Sequence, residues 1–411
     1  LSFSEQPQTT PLTTVKAIDD KVLKLVATTT YSLDPTLSLK KKNTLIASCP
    51  KGLEPALQSD IEALGFSIVK IAPRAVYFVT DEVGFYRAHL GLRTASSIKL
   101  QLKTFECEGT GDLFSRCEKI SWEKLLPKDV AINVQIQVSK DYNPKEVFEV
   151  FKRGIEARFL VRSGSTPEFA PKEDAAEVFV YQYNSQWTIS IDTTGKALHK
   201  RGYRAKGHPA PLKENLAAGL LRLGGYKGQK ALLDPMMGSG TAVIEAAMIQ
   251  LRKAPLIHRK RGGFAFEQMP FFKNSVLRVA QDDCRSKKLD ELTFPIFGKD
   301  VHPDYVENAE GNALKARVEK HLDLGQLQFF DSKKPCDHGL LFTNLPYDRR
   351  LKKQDNFFAK FSDYLAKEYV GWDIAIYAIA DTFEPPAAAQ ALKKFEVPNG
   401  SLDTHLWCFK L

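Results

Sequence analysis

Eight residues limit what this chain can become more than any others: Asp234-Pro235-Met236-Met237-Gly238-Ser239-Gly240-Thr241. An apolar run ends at Asp234 and a helical pattern begins at Thr241, so the glycines lie in a strand-to-helix turn. Glycine there permits a tight turn and lets a ligand come close to the backbone. From Leu212 onward, strands alternate with helices. Strands are expected near 230–234, 295–299, 326–330, 339–343 and 373–380, and helices near 212–224, 241–253, 303–315 and 356–368. That pattern is a doubly wound α/β domain. Asn399-Gly400 signals a turn between Phe395–Val397 and Leu402–Leu411, so an antiparallel hairpin should close the sheet.

Two phosphate-binding readings of the octet fail on single residues. A P-loop needs Lys after its last glycine, where Thr241 stands. A dinucleotide fingerprint needs a third glycine three residues after Gly240, where Val243 stands. Three more positions at expected strand ends can carry chemistry. Asp300 is placed either to accept both ribose hydroxyls of a nucleotide-like cofactor or to cap the helix that follows. Asp331, after Phe329-Phe330, suits an adenine amine or a surface turn. Asn344-Leu345-Pro346-Tyr347 is either a proline turn or a pair of hydrogen-bond acceptors beside an aromatic ring.

The N-terminal half is built differently. Residues 1–42 are rich in Ser, Thr and Lys and hold no Gly, as in a disordered tail or a presequence remnant. Residues 43–105 read β-α-β-β-α-β, a ferredoxin-like order. A second α+β unit spans 106–193, with strands at 130–138, 177–183 and 186–192 and a helix capped at Asn143-Pro144. A basic linker follows at 194–211. It holds Lys196, Lys200, Arg201, Arg204 and Lys206, with no acid between Asp192 and Glu214. It is either a phosphate-tracking surface or a solvated connection. The formal net charge of +9 favours a polyanion, nucleic acid before membrane. No apolar run is long enough to cross a bilayer. The six cysteines form no CxxC pair, so no metal site is expected, and the chain reads as an intracellular monomer with reduced thiols.

Taken together, the segments are similar to the THUMP-domain RNA methyltransferases, in particular their ribosomal RNA guanine-N2 branch, over residues 44 to 411. The resemblance is carried by Ala47-Ser48-Cys49-Pro50-Lys51-Gly52-Leu53-Glu54, Leu92-Arg93-Thr94-Ala95-Ser96, Asp192-Thr193-Thr194-Gly195 and His199-Lys200-Arg201-Gly202-Tyr203-Arg204. Ala210-Pro211-Leu212-Lys213-Glu214-Asn215-Leu216-Ala217-Ala218, the octet and the Asn344 motif complete it. It implies a class I methyltransferase domain at 212–411 that uses S-adenosylmethionine, and a THUMP RNA-binding domain at 106–193. Asp234, Pro235, Gly238, Ser239, Gly240, Thr241, Asp300 and Asp331 would line the cofactor site, with help from Asn215. Structured RNA, that of the large ribosomal subunit in this branch, would be held by Lys196, Lys200, Arg201, Arg204, Arg349 and Arg350.

The catalytic expectation follows from the weakness of an exocyclic amine as a nucleophile. Acceptors must hold its two N–H groups so that the lone pair turns toward the methyl group. The Asn344 side-chain oxygen and the Leu345 carbonyl are placed to do this, with Pro346 shaping the turn and Tyr347 stacking on a flipped base. The family usually carries Asn-Pro-Pro-Tyr-Gly. Here Leu345 replaces the first proline and Asp348 the glycine, and Asn-Leu-Pro-Tyr resembles the adenine-N6 ribosomal dimethylases. Three alternatives therefore stand beside the guanine reading: a transfer RNA guanine-N2 methyltransferase, an adenine-N6 methylase, and a non-catalytic RNA-binding assembly factor. The compartment is cytoplasmic, or a plastid or mitochondrion if the tail is a transit-peptide remnant.

Overall fold

The computed structural model describes residues 39, 42–107, 109–204, 212–346 and 357–411, arranged on two seven-stranded sheets. The first starts with β1 (Asn43–Ser48), α1 (Glu54–Ala63), β2 (Ser67–Ala72), β3 (Ala75–Thr80), α2 (Glu82–Gly91) and β4 (Ser97–Glu106). Their order is β2-β3-β1-β4 with every neighbour antiparallel, the ferredoxin-like arrangement read from the sequence. Leu57 and Ile61 of α1 are buried, and Asp81 opens α2 by accepting the Gly84 amide at 2.7 Å.

The second unit comprises α3 (Leu113–Glu118), β5 (Ile132–Gln137), α4 (Pro144–Ser163), β6 (Ala176–Tyr183) and β7 (Gln186–Asp192). Asn143 caps α4 through the Lys145 amide. Strand β7 pairs antiparallel with β4, so the ladder runs unbroken past residue 105 and ends at β5. Two small units thus share one sheet.

The second sheet follows α5 (Glu214–Leu223). It contains β8 (Ala231–Asp234), α6 (Thr241–Gln250), α7 (Asn274–Ser286), β9 (Ile296–Asp300), α8 (Pro303–Ala316), β10 (Asp323–Gln326), β11 (Gly339–Asn344), α9 (Phe357–Glu368), β12 (Asp373–Ile379), β13 (Gln390–Glu396) and β14 (Thr404–Lys410). The order is β10-β9-β8-β11-β12-β14-β13. Strands β8 to β12 are parallel, and the β13–β14 hairpin closes the edge antiparallel, as the Asn399-Gly400 turn indicates. The order reverses between β8 and β11, which is where open α/β sheets take their ligands. No helix among the described residues is long and apolar enough to cross a membrane.

Two elements differ from expectation. The third strand of this sheet is β10 at Asp323–Gln326, not 326–330, and Phe329–Asp331 forms a 3-10 turn. Both phenylalanines join one aromatic cluster, Phe329 lying 4.5 Å from Phe361 and Phe330 6.0 Å from Phe357. A strand would have sent them to opposite faces. Helix α7 is additional. Its buried face is only Leu277 and Ala280, too narrow to announce itself, and it docks on α2 with Arg87 paired to Asp283 at 2.9 Å.

Residues 194–204, expected as linker, are packed: Thr194, Leu198 and Tyr203 are buried. They meet Glu245 of α6, which is fully buried. Its Oε1 lies 3.4 Å from Arg201 Nε and accepts the Tyr203 hydroxyl at 3.2 Å. Arg201 also donates to the carbonyls of Leu198 and Arg93. Arg93 in turn donates to the carbonyls of Met248 and Lys253, at 2.9 and 2.7 Å. Nearby, Asp60 of α1 accepts the Thr94 amide and hydroxyl and pairs with Arg222 of α5. The two sheets are therefore joined by buried charge as well as apolar area. Removing Glu245 takes away the carboxylate paired with buried Arg201, so Glu245→Ala should cost about 3–5 kcal/mol of unfolding free energy. Lys172→Ala, which breaks the exposed Lys172–Glu168 pair, should cost under about 1 kcal/mol. Denaturant unfolding of both variants checks this; equal, small losses would show that Glu245 holds nothing.

Candidate functional site

The turn after β8 is shaped by its own backbone. The Met237 amide donates to Lys299 O at 3.0 Å, tying the turn to β9, and the Gly240 amide donates to Met237 O at 3.0 Å. Gly238 and Gly240 have φ of 53° and 76°, in the left-handed region that favours glycine. Their surroundings differ. A Cβ on Gly240 would lie 2.9 Å from the Ala309 Cβ, so this glycine lets α6 approach α8. A Cβ on Gly238 would meet nothing within 4 Å, which leaves open space over the turn for a ligand. Ser239 and Thr241 are buried, and Asn312 of α8 donates to Ser239 O at 3.0 Å. Pro235 lies buried at the head of the turn.

Two carboxylates face this turn. Asp300, buried at the end of β9, accepts the Gly238 amide on Oδ2 at 2.9 Å and the His302 amide on Oδ1 at 3.0 Å. A carboxylate has about four lone-pair sites, so capacity for two ribose hydroxyls remains. Asp300 is not the cap of α8: His302 holds that position with no side-chain cap bond, and the Asp300–His302 bond closes the turn before it. Asp234 is buried and accepts the Met236 amide at 3.2 Å. Burial, only partly offset by that amide and reinforced by the charge of Asp300, pushes its pKa up to about 7. Open space above Gly238, two acids and the start of α6 together suit a nucleoside with a cationic substituent.

Register puts the Asn344 motif at the same edge. Leu341 of β11 pairs with Leu233 of β8, so Asn344 lies one strand from Asp234, across the point of order reversal. The Leu345 amide donates to Tyr377 O at 2.8 Å, and its side chain is buried. A proline there would lack that N–H. Pro346 is exposed at the edge. Tyr347, Arg349, Arg350 and Lys206 lie outside the described residues.

The other expected site residues are placed as follows. Asn215 is buried on α5, with Nδ2 donating to Thr94 O at 3.3 Å and Ser96 Oγ at 3.0 Å, so it ties the catalytic sheet to the first sheet. Asp331 is exposed on its 3-10 turn. Arg201 is corrected outright: a guanidinium buried against Glu245 cannot face RNA. Arg204 is partly buried, donating to Leu212 O at 2.6 Å beside Glu214. Lys196 and Lys200 are exposed. Gly298 was missed; a Cβ there would strike Met237 Sδ at 2.5 Å, so β9 needs this glycine to seat the turn.

The shifted pKa of Asp234 gives the molecule without cofactor a pH signature. Well below pH 3.8 both folded and unfolded chains hold this proton. As pH rises from the ordinary value of 3.8 through about 7, the unfolded chain ionises first, and this contribution to stability is progressively lost. Relative to Asp234→Asn, the parent should lose up to about 4 kcal/mol between pH 4 and 8. Parallel stability profiles for the two proteins would remove Asp234 from this account.

Residues 201–407 match the RMKL-like methyltransferase domain, and residues 44–99 match the RlmL ferredoxin-like domain. The chain is 30% identical over 382 residues to ribosomal RNA large subunit methyltransferase K/L of Cellvibrio japonicus (strain Ueda107), covering 89% of this chain and 51% of that protein. It thus spans about half the length of that curated relative. Among solved structures, SMU.472, a candidate methyltransferase complexed with SAH, superposes with a TM-score of 0.77 at 29% identity, covering 90% of this chain and 98% of that one. A predicted N6-adenine-specific DNA methylase from Listeria monocytogenes str. 4b F2365 gives 0.78 at 28% identity, covering 90% and 96%. With the strand order, the glycine turn and the paired acids at one sheet edge, these likenesses show that the chain belongs to the RMKL-like methyltransferase family.

Proposed function

We propose that this chain methylates the exocyclic N2 of a guanine in large-subunit ribosomal RNA, with S-adenosylmethionine as its cofactor. The observation that carries the proposal is the position of Asn344, one strand from Asp234, at the edge where the Gly238 turn opens. The Cellvibrio japonicus relative is named for the methylation of large-subunit ribosomal RNA, and the relative solved with SAH carries the demethylated form of the cofactor. An RNA substrate of this kind places the chain where ribosomes are made, in the cytoplasm or an organelle.

Bound cofactor would supply an electrophilic methyl group on a sulfonium. The chain would do the rest by orientation. Asp300 would accept from the ribose, and the Gly238 turn would let the nucleoside approach the backbone. The anion of Asp234 would favour the cationic end of the cofactor. Asn344 Oδ1 and the Leu345 carbonyl would each accept one N–H of the guanine amine, freeing its lone pair to attack. Tyr347 would stack on the flipped base and Pro346 would keep the turn narrow. As the new N–C bond formed and the methyl–sulfur bond broke, leaving a neutral thioether, the amine proton would become acidic and pass by way of its acceptor to solvent, so no strong base is required.

Adenine N6 is the second reading, because Leu345 stands where the guanine branch has proline and one solved relative is named for adenine. The same two acceptors serve either amine. Purified protein offered unmodified large-subunit RNA, transfer RNA and duplex DNA decides between them by nucleoside mass spectrometry. N2-methylguanosine confined to the ribosomal RNA is expected; N6-methyladenine in any of the three would overturn the guanine assignment. Asn344→Ala should keep cofactor affinity while turnover falls about 10²–10³-fold. Unchanged turnover would remove Asn344 from the mechanism.

A further inference from the structure

Lys196 and Lys200 do not stand alone on their surface. The loop following α6 carries His258-Arg259-Lys260-Arg261-Gly262-Gly263, and the fold lays it along the segment that leaves β7. The Ala265 amide donates to Thr194 O and the Phe266 amide to Thr193 O, both at 3.2 Å. Gly195 allows this approach: its φ is 69°, and a Cβ there would lie 3.1 Å from the Ala265 nitrogen. Arg259 braces the join. It donates to Lys196 O, and its guanidinium lies 4.4 Å from the Phe264 ring centre.

The cations left facing outward are Lys260 and Arg261 on the loop and Lys196, Lys200 and Lys213 beside it, all exposed. None of the five has an ion-pair partner among the described residues. That is unlike other parts of the surface, where Lys172, Arg285, Lys287, Lys288 and Lys320 each sit on an acid. The acids that belong to this region are engaged by backbone amides. Glu267 accepts the Gly262 amide at 2.8 Å and the Phe264 amide at 3.1 Å, and Asp192 accepts the amides of Thr194 and Gly195. The resulting field shows at His199, whose pKa is driven down to about 4 by burial and by Lys213, Arg201, Lys200 and Arg204.

We infer that the 258–263 loop of the methyltransferase domain and the Lys196–Lys200 segment form one composite face that grips the sugar–phosphate backbone of the RNA substrate. The inference rests on the RNA reading above. Lysine and arginine neutralising phosphates release condensed counterions, so the grip is strong, salt-sensitive and blind to sequence. It positions RNA and leaves base recognition to the catalytic edge. Because Arg201 follows Lys200 directly and is buried against Glu245, the face is fixed to the catalytic sheet.

The test measures binding of full-length protein to transcribed, unmodified large-subunit RNA between 50 and 200 mM salt. Lys260→Ala/Arg261→Ala should weaken binding about tenfold or more at the lower salt and flatten the log–log salt slope by about 1–2. Lys196→Ala/Lys200→Ala, from the opposite side of the join, should do the same. Lys287→Ala/Lys288→Ala should bind as the parent does. Melting temperature and S-adenosylmethionine affinity should be unchanged in all three, which separates lost contacts from lost folding. Parent-like affinity and slope in the first two variants would overturn the composite face while leaving the RNA reading intact. A parent protein with no salt-dependent RNA binding would overturn both.

Discussion

Glu245 is fully buried, and its charge offsets the buried guanidinium of Arg201, which it contacts, and that of Arg93, which Asp60 also helps to balance. That requirement links three stretches of chain. Arg93 comes from the connection between α2 and β4, Arg201 from the segment after β7, and Glu245 from the helix that begins at the cofactor turn. Asp60 repeats the arrangement on a smaller scale, joining Thr94 to Arg222. Asn215 adds neutral bonds to Thr94 and Ser96. The helix that presents the Gly238 turn is thus the helix to which the first sheet is fastened. The position of the first sheet relative to the Gly238 turn is therefore set by buried charge. Such contacts tolerate little sliding, because a displaced guanidinium loses its carboxylate without regaining water.

The local constraints were legible in the sequence and the long-range ones were not. A turn that needs left-handed backbone at Gly238 and Gly240 declares itself in eight consecutive residues. The ferredoxin-like order and the closing hairpin were equally plain, since each rests on periodicity and on a turn signal such as Asn399-Gly400. Arg201 was misread because a buried guanidinium and a solvated one look identical in a sequence, and its partner is Glu245, 44 residues away. The Phe329-Phe330 pair was misread because a short apolar run does not reveal whether its side chains alternate. The run His258 to Arg261 was not singled out in the sequence, because its neighbour Lys196 is 63 residues from Arg259 and only the fold joins them.

Leu345 shows how a departure from a family motif can be absorbed. Its amide extends the β11–β12 ladder by one bond, to Tyr377 O. Tyr377 is held in turn, its hydroxyl lying 2.8 Å from Val397 O and 2.7 Å from Thr404 Oγ1. The antiparallel hairpin is therefore connected to the Asn344 motif through one tyrosine. Where a proline would restrict the chain by its ring, leucine restricts it by a backbone bond and a buried side chain. The proposed catalytic role of the Leu345 carbonyl needs only that this backbone be held.

The central claim is that the two sheets act as one body. The chain carries four tryptophans: Trp122 and Trp187 belong to the first sheet's second unit, and Trp372 and Trp407 to the catalytic sheet. Replacing either pair with phenylalanine leaves fluorescence that reports on one half alone. Equilibrium unfolding in urea, followed through each pair, measures directly whether the halves come apart together. Coincident midpoints and slopes are predicted; two separated transitions, with one sheet persisting after the other has unfolded, would contradict the account.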